Sequence, residues 1–65
     1  MTQIEERVLD LIRSSRRPPD LRTVANSLRL SDTDAAEALC ELRRQGLIQT
    51  HATASRLRYR LRKEA

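Results

Sequence analysis

Residues 56–62 read Arg-Leu-Arg-Tyr-Arg-Leu-Arg. Charged and apolar side chains alternate without a break, and a period of two puts one kind on each face of a β-strand. Arginine and leucine are also good helix formers, so composition alone would allow a helix. The alternation decides for a strand with Leu57, Tyr59 and Leu61 inward and Arg56, Arg58, Arg60 and Arg62 outward. A half-buried antiparallel strand needs a partner. The stretch that offers one is Leu-Ile-Gln-Thr-His-Ala at 47–52, short and rich in β-formers. The small residues Thr53-Ala54-Ser55 join the two as a hairpin, without the Asn-Gly or Asp-Gly of a tight turn.

The chain before this hairpin has helical periods. Ile4, Val8, Leu11 and Ile12 form one stripe, and Thr2-Gln3-Ile4-Glu5 fits a capping box in which Thr and Glu satisfy each other's N–H groups. Ser-Ser-Arg-Arg-Pro-Pro-Asp at 14–20 ends that helix, because proline donates no backbone hydrogen bond and pushes its predecessor out of the helical region. Asp20 can cap a second, shorter helix with Leu21, Val24, Ala25 and Leu28 on one face, ending near Arg29. Ser31 can cap a third, with Ala35, Ala38, Leu39 and Leu42 at i, i+3, i+4 and i+7. Gly46, the only glycine in the chain, suits the left-handed residue that closes a helix. The order is helix, helix, helix, strand, strand, a mainly α domain with a small β-hairpin. Its core is expected to comprise Ile4, Val8, Ile12, Val24, Leu28, Leu39 and Leu42 under Leu57 and Tyr59.

The 65 residues make a single domain, 1–65, of a size that buries only about 60% of the surface its unfolded chain exposes. A second subunit would add to so small a core, and Leu9, outside the main stripe of the first helix, is the candidate for exposed apolar surface. Residues 1–45 hold eight basic and eight acidic side chains, so the net charge of +4 sits entirely in 46–65. A localised basic patch attracts nucleic acid or another polyanion. No apolar run is long enough to span a membrane, no signal peptide precedes the first helix, and a lone Cys40 suits a reducing compartment, so a cytoplasmic protein is expected. His51 has no companions at metal-ligand spacing and reads as a surface strand residue. Cys40, beside the third helix's apolar stripe, reads as a partly buried small residue. No nucleophile–base pair, catalytic carboxylate pair or glycine-rich phosphate loop appears, which argues against an enzyme and against a cofactor.

Val24, Ala25, Leu28, Leu30, Ala35 and Ala38 stand where a helix-turn-helix unit places its packing residues, with Ala25 small enough to let two helices cross closely. The stretch Leu-Cys-Glu-Leu-Arg-Arg-Gln-Gly-Leu-Ile-Gln-Thr-His at 39–51 is similar to the end of the recognition helix and the first wing strand of many bacterial regulators. Residues 3–62 thus resemble the winged helix-turn-helix superfamily, small DNA-binding regulators for the most part. The chain departs from that pattern at Arg29, where glycine is usual, and in its acidic third helix. The resemblance implies a transcriptional regulator that contacts duplex DNA through Arg22, Thr33, Arg43, Arg44, Arg56 and Arg58, with a homodimer or protein partner.

The third helix complicates that implication. Asp32 and Asp34 fall in its first turn, where carboxylates relieve the helix dipole. Glu41 can pair with Arg44 three residues on, but Glu37 has no partner in its own helix, and an acid near phosphates is repelled. The alternative is a protein-docking winged helix that uses Asp34, Glu37 and Glu41 without binding DNA. A third reading, an accessory of ferrous-iron transport, lacks the wing cysteines that such proteins carry.

Overall fold

A computed structural model of the protein describes residues 2–54 and 56–62. Ser55 of the expected turn, and Lys63 and Glu64 of the basic end, lie outside the described residues. The elements are α1 (Gln3–Ser14), α2 (Leu21–Leu28), α3 (Asp32–Arg44), β1 (Ile48–Ala52) and β2 (Leu57–Leu61). The alternation at 56–62 does form a strand, paired antiparallel with β1 in the register Ile48↔Leu61, Thr50↔Tyr59 and Ala52↔Leu57.

All three helices start on the side chains the sequence offers. Thr2, Asp20 and Ser31 each accept from the backbone N–H three residues on, at 3.2, 2.8 and 3.0 Å. At α1 only half of the capping box forms. The Glu5 carboxylate instead meets Gln45 Nε2 at 3.5 Å, a long contact that ties the start of α1 to the end of α3.

Both later helices close on the same backbone device. After α3, Gly46 N donates to Arg43 O (3.0 Å) and Leu47 N to Leu42 O (3.1 Å), with Gly46 left-handed at φ 77°. After α2, Arg29 N donates to Asn26 O (3.3 Å) and Leu30 N to Ala25 O (2.8 Å), with Arg29 left-handed at φ 55°. The second closure therefore holds an L side chain in a conformation that glycine adopts freely. Leu30 then turns back onto the core beside α2.

The core is aliphatic and small. Val8 and Ile12 of α1, Val24 and Ala25 of α2, Ala35, Ala38, Leu39 and Leu42 of α3, and Ile48 of β1 are buried, with Leu28, Tyr59 and Leu61 half-buried against them. Ile4 and Leu57 depart from the expected core. Ile4, in the first turn of α1, lines an open groove with Ala38 and the acids of α3 and is 37% exposed. Leu57, the first residue of β2 beside the hairpin tip, reaches only the rim of the core next to Leu21 and is 47% exposed. Leu9, expected outside, packs against the core, and Cys40, expected partly inside, is exposed. No helix among the described residues is long and apolar enough to cross a membrane.

The proline segment does more than break a helix. Pro19 O accepts from Tyr59 N at 2.9 Å, and Asp20 forms an antiparallel bridge with Arg58. The segment before α2 is therefore a short third edge to the hairpin, on the side of β2 away from β1.

Replacing Arg29 by Gly should stabilise the domain by about 0.5–1 kcal/mol. The left-handed conformation costs an L residue about 1–2 kcal/mol, and glycine's freedom in the unfolded chain offsets part of the gain. Urea unfolding checks this through a higher midpoint at unchanged slope. Gly46→Ala should shift the midpoint the other way, since its Cβ would also stand 3.2 Å from Arg62 Nη1.

Candidate nucleic-acid interface

The start of α2 and the wing face each other across a cleft. Asp20, Arg22, Thr23, Asn26 and Arg56 line one part of it, and Leu21, Asp32, Leu57 and Tyr59 extend it. Two of the expected DNA-contacting residues, Arg22 and Arg56, are brought together here. Thr23 and Asn26 join them as exposed polar side chains that the sequence reading missed. Their signal was available: Asn26 stands four residues after Arg22, one helical turn along the same face.

Asp20 organises this cleft. One carboxylate oxygen accepts from Thr23 N at 2.8 Å and caps α2, and the other accepts from Arg56 Nη1 at 2.9 Å. Its side chain is 14% exposed, whereas that of Arg56 is 58% exposed. Arg56 is thus anchored by one nitrogen while its side chain as a whole stays largely exposed. The hydrogen bonds from Thr23, by side chain and backbone, hold the Asp20 carboxyl at about 2, below its ordinary 3.8, and the Arg56 charge adds to the effect.

The hairpin tip is closed by Thr53. Its N–H and hydroxyl donate to Arg56 O at 2.7 and 2.9 Å, and Arg56 N donates back to the hydroxyl at 3.1 Å. This replaces the missing Asn-Gly. Arg58, expected on the outer face, is half-buried, with Nη1 donating to Pro18 O at 2.9 Å. Arg60 crosses to Gln49, whose amide oxygen in its hydrogen-bonding orientation accepts at 2.9 and 3.0 Å. Of the wing arginines, Arg56 is the one beside the cleft.

Thr33, Arg43 and Arg44 are exposed on α3, with Ala36 and Cys40 between them. The acids of α3 divide between its flanks. Asp34, Glu37 and Glu41 line a groove against α1 together with Thr2, Ile4 and Glu5, while Asp32 belongs to the cleft by the wing. Glu41 meets Arg44 at 3.5 Å, as its spacing predicts. The alternative docking residues are therefore gathered in one place, with Glu5 as a fourth acid from another element. The helix carries two different surfaces.

Three helices closed by a hairpin wing make this chain a winged helix-turn-helix domain. Its fold is similar to that of PcaV, a transcriptional regulator from Streptomyces coelicolor solved with its natural ligand, with TM-score 0.85 and 26% identity over 94% of this chain and 45% of that one. It is also similar to a mutant of MepR from S. aureus, with TM-score 0.87 and 18% identity over 94% of this chain and 47% of that one. The Zalpha domain of Carassius auratus PKZ, solved in complex with Z-DNA, matches with TM-score 0.78 and 19% identity over 91% of this chain and 92% of its own. The chain thus spans just under half the length of PcaV and MepR and nearly all of the Zalpha domain. No protein-family model matches the sequence, and no curated protein matches it.

Asp20 makes the wing's attachment dependent on acid. A carboxyl held below its ordinary value contributes stability that is complete above 3.8 and is lost as the pH falls through about 2. Asp20→Asn keeps a capping side chain but loses the charge. Its stability deficit relative to the parent should be constant above the ordinary value and shrink as the pH falls from about 4 towards about 2. Urea midpoints across a pH series check this, and a deficit that grows on acidification would contradict it.

Proposed function

We propose that this chain is a DNA-binding winged-helix domain acting in transcription regulation, with duplex DNA as its ligand. The observation that carries the reading is the cleft that brings Arg22, Thr23, Asn26 and Arg56 together between the start of α2 and the wing, with Asp32 at the start of α3 on its rim. Arg22 and Arg56 supply charge for phosphates, and Thr23 and Asn26 supply short polar groups for the backbone. On α3, Thr33 and Ala36 are small enough to approach base edges, while Arg43 and Arg44 stand at the end of the helix for the flanking phosphates. Likeness to PcaV, a transcriptional regulator, and to a domain solved with Z-DNA supports the reading. It is that of a binding module and not of an enzyme, and the cytoplasmic setting expected from the sequence goes with it.

Arg58 changes its role in this account. Its Nη1 is held by Pro18 O and the residue is half-buried, so we assign it to holding the wing and the phosphate contacts to its more exposed neighbours. Binding to random duplex DNA over a salt series separates the two roles. Arg22→Ala and Arg44→Ala should each flatten the slope of log K against log salt by about 0.9, whereas Arg58→Ala should lower thermal stability and leave the slope nearly unchanged. Absence of DNA binding even at low salt would overturn the reading.

A second reading is favoured by the groove between α1 and α3. Its apolar Ile4 is ringed by Glu5, Asp34, Glu37 and Glu41, a surface suited to a basic protein segment and not to phosphate. Association with a second copy or another protein would use this groove, since Leu9 is taken up by the core. Glu37→Arg with Glu41→Arg should dissolve such a complex and leave the fold intact. The same pair should tighten non-specific DNA binding by removing repulsion.

A further inference from the structure

Leu57 is one of two large apolar side chains left exposed among the described residues, at 47%. Its place is unusual for an exposed leucine. It follows directly on Arg56 at the tip of the wing, on a face that looks into the α2 cleft with Leu21 and Tyr59. The helices leave it 47% exposed beside Leu21, yet the strand that carries it is tied on both sides. Leu57 pairs with Ala52, the preceding residue is tied to Asp20 at 2.9 Å, and the two that follow are tied to Pro18 and Pro19 at 2.9 Å each.

We propose that Leu57 is an apolar wedge that enters the minor groove of duplex DNA and partly unstacks a base step, making it a specificity-determining residue of the wing. The inference rests on the DNA-binding reading above and deepens it. An apolar side chain between base steps loses its contact with water, which an aqueous surface position denies it. Insertion of this kind needs a rigid support and a cation beside it. The ties at Asp20, Pro18 and Pro19 supply the first, and Arg56, whose side chain is 58% exposed, supplies the second. The rim also carries Asp20 and Asp32. Asp20 is engaged by Thr23 and Arg56, and Asp32 sits in the first turn of α3, where the helix dipole offsets its charge. The affinity of the wedge is therefore apolar and geometric in origin, and little of it depends on salt.

This fixes what sequence the wing would favour. Pyrimidine–purine steps such as TA unstack easily, and A-tracts resist. The wedge reads deformability, which suits an α3 with few groups for direct base contact.

The test compares the parent, Leu57→Ala, Leu57→Met and Arg22→Ala on two duplexes, one with a central TA step and one with an A-tract. Each carries a fluorescent adenine analogue whose emission rises on unstacking. The parent should bind the TA duplex more tightly and raise its emission. Leu57→Ala should lose roughly tenfold in affinity for that duplex, with its salt slope and melting temperature unchanged, and should silence the emission. Leu57→Met, still apolar and long, should retain both. If Leu57→Ala binds and unstacks like the parent while Arg22→Ala flattens the slope, DNA binding stands and the wedge is overturned. If the parent binds neither duplex at low salt, the wedge falls together with the DNA-binding reading.

Discussion

The fold turns on two consecutive residues, Pro19 and Asp20. Proline cannot continue α1, and its carbonyl is left to accept from Tyr59 N. Asp20 then begins α2 with one oxygen and holds Arg56 with the other. A single carboxylate thereby fixes where a helix starts and where a strand thirty-odd residues later must lie. A hairpin alone is marginal in water. Here it gains a third edge and a buried residue, Ile48, at its root. The cleft with Arg22 and Arg56 exists because these attachments bring two distant segments face to face.

Most of the architecture was legible because each signal is local. Thr2, Asp20 and Ser31 cap as their spacing says, Gly46 closes α3, and the alternation at 56–62 survives as β2. The misplacements share one physical cause: periodicity gives the direction of a side chain but not whether anything lies there to cover it. Ile4 and Leu57 point the right way but stand at the ends of their elements, where the core has stopped. Leu9 lies off the stripe yet is covered. The pairing of Pro19 with Tyr59 left no mark in either segment, because one backbone carbonyl meeting one backbone N–H requires no particular side chain.

The candidate site was legible in part for the same reason. Arg22 and Arg56 stood out by charge, and the structure makes them neighbours. Arg58 stood out equally, but its partner is a carbonyl forty residues away, which no charge count reveals. The acidity of α3 looked like a contradiction because the helix was read as one surface. Its acids at 34, 37 and 41 line the groove against α1, and Glu37 also borders the outer side that presents Thr33, Ala36, Cys40 and Arg44. One helix can hold opposed electrostatic characters when its flanks meet different neighbours.

The tethering of β2 at Arg56, Arg58 and Tyr59 bears on how such a wing behaves as a mechanical part. An untethered hairpin searches many orientations and loses that freedom when a ligand arrests it, which weakens association by the entropy surrendered. In this chain three hydrogen bonds to the segment before α2 narrow that search within the folded domain. A wing tied at these three residues would offer any partner a contour set in advance, so that selection between partners would rest on shape as much as on charge.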